Sequence, residues 1–277
     1  MVSPASQEGG SSARFNAAVA QPARVYAYWL GGKDHFPADR QAAKNVIAQR
    51  PEVVTGALAN RAFLARVVPY LAAERGVRQF LDVGTGLPAP DNTHELAQDV
   101  DPACRIVYVD NDPVVLAHAR ALLTSAPEGA TSYIDADLRD PAAIVRQAAD
   151  TLDFTQPVAV MLIAVLHVID DADRPYQIVR DLIDAVPPGS YLAISHLTDD
   201  FAATAEAEAM RFFAQALSKR MAENMVLRDR AAITRFFDGL ELVEPGVVQP
   251  DRWRTGTDPS VESKVAVYCG VGRKPGA

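Results

Sequence analysis

The sequence predicts an α/β fold built on a seven-stranded, mostly parallel sheet, with a helical cap at the N-terminus. Two observations support this prediction. Apolar stretches of strand length alternate with helix-like stretches from about residue 79 onward, as in a parallel sheet covered by helices on both faces. The first of these stretches ends in a glycine turn, and the next two end in acidic residues.

The stretch that organises the chain reads FLDVGTGLP at 80–88. It predicts a buried strand that runs into a turn at Gly84 and Gly86, followed by a helix from about Asn92. Glycine adopts backbone angles that are closed to other residues and lets a ligand approach the main chain closely. A strand, a glycine turn and a helix N-terminus together form the usual nucleotide cradle of doubly wound sheets.

Acidic residues end the second and third predicted strands, at Asp110 and Asp137. A carboxylate at the tip of the second strand can accept hydrogen bonds from both hydroxyls of a ribose. The alternative is that each acid merely caps the helix that follows. Asp112 and Asp140 are better placed for capping, because each stands directly before a proline at the first helical position.

The chain is expected to divide into a disordered tail at 1–13, a helical cap or lid at 14–75 and a core at 76–277. The tail is small and polar without periodicity. The predicted helices of the cap cover 23–30, 38–49 and 53–74. Proline lacks a backbone N–H, so Pro69 should kink or restart the last of these helices.

The core is expected to hold five strand–helix units and two closing strands. Its predicted strands lie at 79–83, 105–109, 132–136, 158–165, 190–195, 240–244 and 264–270. Its predicted helices begin near 92 and lie at 113–123, 141–149, 175–186, 202–221 and 230–237. The fourth strand is almost wholly apolar, as a central strand buried on both faces should be. Trp253, in a polar segment between the closing strands, is expected to be exposed.

Composition narrows the classes of function. The 277 residues carry a net charge of −8, which argues against a nucleic-acid or membrane-surface partner, because such partners require a basic face. We find neither a signal peptide nor an apolar run long enough to span a bilayer, and we expect a cytoplasmic protein with a small-molecule partner. Cys104 and Cys269 are expected to be buried thiols, and no metal-ligand cluster stands out. The oligomeric state is not indicated.

These motifs resemble those of class I S-adenosylmethionine-dependent methyltransferases. Asp82–Gly86, Asp110 and the run ADL at 136–138 are similar to the first, second and third motifs of that class. From about residue 14 to 253, the chain is also similar to an actinobacterial methyltransferase family of unassigned substrate. The similar stretches lie at 24–34, 60–64, 81–88, 108–113 and 236–240. The resemblance implies a Rossmann-like fold with an antiparallel last strand and S-adenosylmethionine as cofactor, but no substrate.

The resemblance implies roles for residues at the carboxyl edge of the sheet. Asp110 would bind the ribose diol, and Asp137 with the backbone of Leu138 would bind adenine. The backbone of the glycine turn would hold the amino-acid tail, and Asp82 would hold its ammonium group directly or through water. The cofactor-binding residues expected on this basis are Asp82, Gly84, Thr85, Gly86, Asp110, Asn111, Asp137, Leu138 and Ala164.

A nicotinamide dinucleotide is the nearest alternative cofactor, because residues 84–89 satisfy the GxGxxA pattern. Three features weigh against it. Asp82 would lie close to the pyrophosphate, and Pro88 and Pro90 delay the helix whose N–H groups would bind it. The cradle also begins near residue 80, behind a helical region, and not at the start of the chain.

His167 is the leading candidate for a general base, because it follows the fourth strand at the edge where ligands bind in such sheets. The alternative is a histidine that forms the pocket wall. His196, at the tip of the fifth strand, is the second candidate base, followed by Asp34, His35 and Tyr28. A base is needed only if the methyl acceptor carries a proton at neutral pH. His167 slightly favours an oxygen acceptor.

Aromatic residues crowd the stretch 15–36. They either strap the N-terminus onto the core or form a lid over the cofactor, in which Arg24 or Lys33 faces a carboxylate. The residues assigned to the lid or to the substrate are Arg24, Tyr26, Tyr28, Lys33, Asp34 and His196. Arg61 is expected to be solvated, with a position in the cofactor pocket as the alternative.

Three functions follow from these observations. The first is a methyltransferase acting on an unidentified small molecule. The second is an S-adenosylmethionine-binding sensor or partner protein without transferase activity, and the third is an NAD-dependent oxidoreductase. The motif that grips planar amines in DNA and glutamine N-methyltransferases is absent after the fourth strand, which disfavours those substrates. Nothing in the sequence supports a magnesium-assisted mechanism.

Overall fold

The structure is a computed structural model that describes residues 17–122, 124–200, 214, 218, 224–257, 263 and 265–276. Its α-helices are α1 (Pro22–Trp29), α2 (Pro37–Gln49), α3 (Glu52–Pro69), α4 (Thr93–Val100), α5 (Pro113–Leu122), α6 (Pro141–Ala148), α7 (Pro175–Asp184) and α8 (Arg230–Thr234). Its strands are β1 (Gln79–Val83), β2 (Arg105–Asp110), β3 (Ala130–Asp135), β4 (Ala159–Ile163), β5 (Tyr191–Leu197), β6 (Glu241–Leu242) and β7 (Val267–Arg273). The predicted tail at 1–13 and most of the predicted helix at 202–221 lie outside the described residues.

The seven strands form one sheet in the order β3-β2-β1-β4-β5-β7-β6. Strands β1 to β5 are parallel, and β7 runs antiparallel to both of its neighbours. This confirms the predicted seven-stranded sheet and its antiparallel last strand. The chain runs outward from β1 to β3 and then returns to β4, so the ends of β1 and β4 meet at a topological switch point, where such sheets bind ligands.

Apolar side chains on both faces of the central strands fill the core. All five residues of β1 are buried. Leu81 belongs to the cluster that packs on Ile144 of α6 and Leu182 of α7, whereas Phe80 belongs to the cluster that includes Phe63 of α3. The alternation of strand side chains therefore anchors helices on both faces. In the described part of the chain, no helix is long and apolar enough to cross a membrane.

The prediction that Trp253 is exposed is wrong. Its side chain is completely buried and lies edge-on to Phe63 and Tyr70, with ring centroids 5.2 and 5.5 Å away. Arg66 holds the segment in place, because its Nε donates to the Trp253 carbonyl at 3.1 Å. The residues next to Trp253 in sequence are polar, so the sequence did not indicate that the ring is buried. Its burial removes a large apolar area from water.

The closing strands also differ from their predicted bounds. β7 begins three residues late and continues to Arg273, because it pairs with the full length of β5, from Tyr191 opposite Arg273 to Leu197 opposite Val267. β6 keeps only two residues. The predicted break at Pro69 is confirmed, since α3 ends there and a π-helical turn, Tyr70–Glu74, follows. Both cysteines are buried thiols, as predicted.

A buried arginine joins the N-terminal cap to the core. Arg24 of α1 is 1% exposed. Its Nε donates to Asp39 of α2 at 3.0 Å, its Nη1 to Asp112 at 3.2 Å and its Nη2 to the Val19 carbonyl at 3.0 Å. Asp112 stands directly before α5, so one guanidinium fixes α1 against both α2 and the sheet.

We expect Arg24→Ala to lower the free energy of unfolding by about 3–5 kcal/mol, because it leaves the buried Asp39 carboxylate without its cation. Urea denaturation followed by circular dichroism measures this loss. Arg78→Ala is the matched control, since its ion pair with Asp101 has an arginine side chain that is 43% exposed, and such pairs contribute about 0–1 kcal/mol. Equal losses in the two variants would contradict the role given to Arg24.

Candidate functional site

A cavity of about 250 Å³ lies at the carboxyl ends of the parallel strands, beneath α1 and α3. Its size is near the lower end of small-ligand sites, which is roughly 300 Å³. All nine residues expected to bind a cofactor line it, so the fold brings together side chains from the loops after β1, β2, β3 and β4. The cap adds further lining residues, and so do the ends of β5 and β7.

Gly84 and Gly86 shape the turn after β1. Both have positive φ, 75° and 65°, which favours glycine. A Cβ at Gly84 would lie 2.3 Å from Cγ2 of Val165, so the loop after β4 packs directly on the backbone of the turn. A Cβ at Gly86 would lie 3.8 Å from the Cβ of Ala23. The first turn of α1 therefore covers the glycine turn from the cap side.

Asp110 ends β2 and holds the glycine turn. Its Oδ2 accepts from the Gly86 N–H at 2.9 Å, and its Oδ1 accepts from the Asp112 N–H at 2.9 Å. Burial raises the pKa of Asp110, although these backbone hydrogen bonds oppose the shift. Each oxygen keeps a lone pair for a further donor. Asp112 caps α5, as predicted, because its Oδ1 accepts from the Val114 N–H at 2.9 Å.

Asp82 lies deeper, at the end of β1. It is 7% exposed, and its Oδ2 accepts from the Thr93 hydroxyl at 2.6 Å. Burial raises the pKa of Asp82 to about 6, against the opposing effects of the Thr93 hydrogen bond and the Arg61 charge. At neutral pH the group is mostly a carboxylate, and a nearby cation would hold it in that form.

Asp137 lies at the mouth of the cavity, with its side chain 41% exposed. It accepts from the Arg139 backbone N–H at 2.8 Å, from the Arg139 guanidinium at 3.2 Å and from Asn111 Nδ2 at 3.2 Å. The side chain is therefore fixed beside Asn111. Asp140, as predicted, caps α6 by accepting from the Ala143 N–H at 3.0 Å.

His196 is locked in one neutral form. Its Nδ1 lies 2.7 Å from the Leu197 carbonyl, and its Nε2 lies 2.8 Å from Nη1 of Arg228. A carbonyl only accepts and a guanidinium only donates, so Nδ1 carries the proton and Nε2 accepts. Burial lowers the pKa of His196 well below its usual value, and His167 and Arg228 add to the shift. This corrects the interpretation of His196 as a second base, because no lone pair remains for an acceptor's proton.

His167 lines the cavity after β4. Its ring lies edge-on to His196 at 5.8 Å, and its buried Nδ1 has no hydrogen-bond partner within the described ranges. Burial, and to a smaller degree the charge of Arg228, lowers the pKa of His167 to about 3. A general base works best when its pKa lies near the working pH. The structure therefore favours the alternative interpretation, a neutral wall residue.

Arg61 reaches the cavity, so the expectation that it is solvated is wrong. Its Nη2 donates to the carbonyls of Pro90 and Asp91, both at 2.8 Å. The physical reason is that the loop after β1 turns unpaired carbonyls towards α3, and a guanidinium satisfies them. Its neighbour Asn60 also lines the cavity.

Of the residues assigned to the lid or the substrate, Tyr26 and His196 line the cavity. The lining residues do not include the other four: Arg24, Tyr28, Lys33 and Asp34. Arg24 is buried in its ion pairs. Tyr28 packs edge-on against His35 at 5.1 Å, and Asp34 lies 3.7 Å from His118. The structure therefore does not support a direct ligand-binding role for these four residues.

Among the lining residues to which sequence reasoning gave no individual role are Gly56, Asn60 and Met225. One sequence feature pointed to Asn60, because it begins the stretch 60–64 that is similar to the methyltransferase family. Another pointed to Gly56, because a glycine within a helix costs about 0.5–1 kcal/mol relative to alanine and so calls for a reason. Met225 is an apolar residue that no motif marks. No group of three or more His, Cys, Asp or Glu residues that could hold a metal occurs in the part of the chain that the structure describes.

A family model described as S-adenosyl methyltransferase matches residues 8–275. Among solved structures, a DUF574 family protein from Streptomyces avermitilis is 44% identical, with a TM-score of 0.87 over 93% of this chain and 98% of that one. A protein from Thermobifida fusca, proposed to be a methyltransferase, is 38% identical, with a TM-score of 0.86 over 97% of this chain and 100% of that one.

More distant structures share the fold. Human N-acetylserotonin methyltransferase in complex with S-adenosylmethionine is 12% identical, with a TM-score of 0.50 over 90% of this chain and 62% of that one. A search among curated proteins found no match. The comparisons therefore identify the fold and the cofactor and leave the methyl acceptor open.

We expect NMR of ¹⁵N-histidine-labelled protein to show His196 as the Nδ1–H tautomer. Because its pKa is lowered, the ring should stay neutral down to pH 5, whereas in urea it should titrate near the ordinary value of about 6.5. His167 should also stay neutral over this range. An Nε2–H tautomer, or an imidazolium forming above pH 6, would contradict the assignment.

Proposed function

Because the chain belongs to the S-adenosyl methyltransferase family, we propose that it transfers the methyl group of S-adenosylmethionine to a small molecule. One observation supports the acceptor site. The cavity continues past the cofactor residues to a second end, lined by the cap and by the ends of β5 and β7. The cofactor supplies a methyl group already activated by a positive sulfur. The protein must therefore bind the cofactor and the acceptor, align them and exclude water.

The residues at the first end fit this cofactor. Asp110 keeps acceptor capacity for the ribose hydroxyls, and Asp137 lies beside Leu138 at the mouth, where adenine would bind. Asp82 and the backbone of the glycine turn suit the amino-acid tail, and Arg61 supplies positive charge for its carboxylate. The pyrophosphate of NAD would fit poorly, because Asp82 is anionic at neutral pH and repels it.

The second end carries both apolar and polar residues. Its apolar lining residues are Trp29, Val53, Gly56, Leu197, Met225 and Ala266, and Arg50, Glu52, His167 and His196 also line the cavity. Gly56 lies in the second turn of α3, and a Cβ there would meet nothing within 4 Å, so the helix backbone itself borders open space. A space of about 250 Å³ beneath the cap suits a compact acceptor with apolar groups better than a polymer.

Neither histidine at this end is suited to accept a proton near neutral pH, since His196 is locked and the pKa of His167 is lowered to about 3. The preference for an oxygen acceptor depended on His167 and loses that support. We expect the acceptor to enter ready to attack, as an amine or as an ionised hydroxyl or thiol. Alignment then supplies much of the rate, roughly 7–11 kcal/mol when complete.

Methyl transfer is tested with isotope-labelled S-adenosylmethionine and a cell extract separated into small molecules and macromolecules. We expect label to enter the small-molecule fraction, and Asp110→Ala to bind the cofactor about 10–100-fold more weakly, because charged hydrogen bonds are lost. Label confined to macromolecules would overturn the acceptor class. Cofactor binding without any transfer would favour the sensor alternative.

Cofactor affinity should fall as the pH drops below about 6, the value to which burial raises the pKa of Asp82. The protonated carboxyl must lose its proton before it can pair with the ammonium group, so affinity should fall by up to about tenfold per pH unit. Calorimetric titration from pH 5 to 8 measures this. Asp82→Asn should bind more weakly at pH 8 and show a flatter profile. If Asp82→Asn showed the same pH dependence of cofactor affinity as wild type, Asp82 could not be the group whose protonation weakens binding.

A further inference from the structure

Asn60 holds an unused hydrogen-bond acceptor beside the cavity. The residue is 4% exposed, and it lines the cavity from α3. Its Oδ1 is buried and has no partner among the described residues. A buried amide oxygen without a donor costs about 1–3 kcal/mol, so the position calls for a ligand that supplies one.

The orientation of this amide is fixed by Tyr26 of α1. The Tyr26 hydroxyl lies 3.1 Å from the Ala57 carbonyl and 2.9 Å from Asn60 Nδ2. The carbonyl can only accept, so the Tyr26 hydroxyl donates to Ala57 and its oxygen accepts from Asn60 Nδ2. Nδ2 therefore faces Tyr26, and Oδ1 is left on the other side of the amide. Burial raises the pKa of Tyr26, which keeps the hydroxyl protonated.

The amide lies at the glycine-turn end of the cavity. The next residue, Arg61, holds the carbonyls of Pro90 and Asp91 in the loop after β1. Ala23, one turn before Tyr26 on α1, covers Gly86. Both helices therefore bring this pair against the turn and its loop, whereas Trp29 and Val53 lie further along α1 and further back along α3.

We propose that Asn60 Oδ1 accepts a hydrogen bond from the ammonium group of S-adenosylmethionine and that Tyr26 is a positioning residue for it. This inference rests on the proposed function, because it assigns a further contact at the same cofactor site. An ammonium group has three donors and no acceptor. Asp82 and backbone carbonyls can satisfy part of it, and Asn60 adds a neutral acceptor from the cap. The cap thus takes part in cofactor binding itself.

The test compares S-adenosylhomocysteine with its analogue that lacks only the amino group, by calorimetric titration of the full chain. Wild type should prefer S-adenosylhomocysteine by tenfold or more. Asn60→Leu, which keeps the size but removes the acceptor, should reduce this preference at least fivefold and leave the affinity for the deaminated analogue within twofold. Tyr26→Phe should reduce the same preference by a smaller factor, because the amide can then rotate.

Leu58→Ala is the matched control, since Leu58 lies on the same helix and is 54% exposed; its preference should equal that of wild type. An unchanged preference in Asn60→Leu, or an equal loss of affinity for both ligands, would overturn the assignment. If Asn60→Leu fails to fold, Tyr26→Phe decides the question by the same ratio. A wild-type protein that binds neither ligand would instead refute the cofactor site on which the proposed function depends.

Discussion

The shape of the cavity depends on one buried guanidinium. Arg24 binds Asp39, 15 residues away, and Asp112, 88 residues away, and so fixes α1 between α2 and the end of the sheet. Buried ion pairs add little net stability, but they hold groups in one arrangement, because separating them leaves charges unpaired. The helix that Arg24 fixes carries Ala23 onto the glycine turn and Tyr26 onto Asn60. The position of α1 over the cavity is therefore set by Arg24, a charged residue that does not itself line the cavity.

Charge is divided between the two ends of the cavity. Carboxylates at the ends of β1, β2 and β3 surround the place proposed for a cationic cofactor. At the other end, Arg228 lies behind His196 and lowers the pKa of both histidines. Burial, with a smaller contribution from Arg228, keeps both histidines neutral, and the guanidinium disfavours a second positive group at the proposed acceptor end. A neutral or anionic acceptor would meet no electrostatic penalty beside a sulfonium.

The sequence predicted the sheet side of this site and much less of the cap side. The glycine turn, Asp110 and the mostly parallel strands could be predicted because each depends on local backbone chemistry and on alternation along the chain. Trp253 and Arg24 could not be placed, because their burial depends on partners far away in sequence, such as Phe63 and Asp112. His196 was misinterpreted for the same reason, since only the fold brings Arg228 to its ring. The orientation of Asn60 requires three atoms from two helices and leaves no trace in a linear pattern.

Gly56 suggests how such a protein could change during evolution. Its missing side chain leaves the backbone of α3 bordering the cavity, about one helical turn before Asn60. Adding a methyl group there would narrow the acceptor space and, at the same time, favour the helix by about 0.5–1 kcal/mol. Selectivity and fold stability would move together in one mutational step, with the cofactor machinery left intact. Substitutions at this position would therefore let related enzymes diverge towards smaller or larger acceptors.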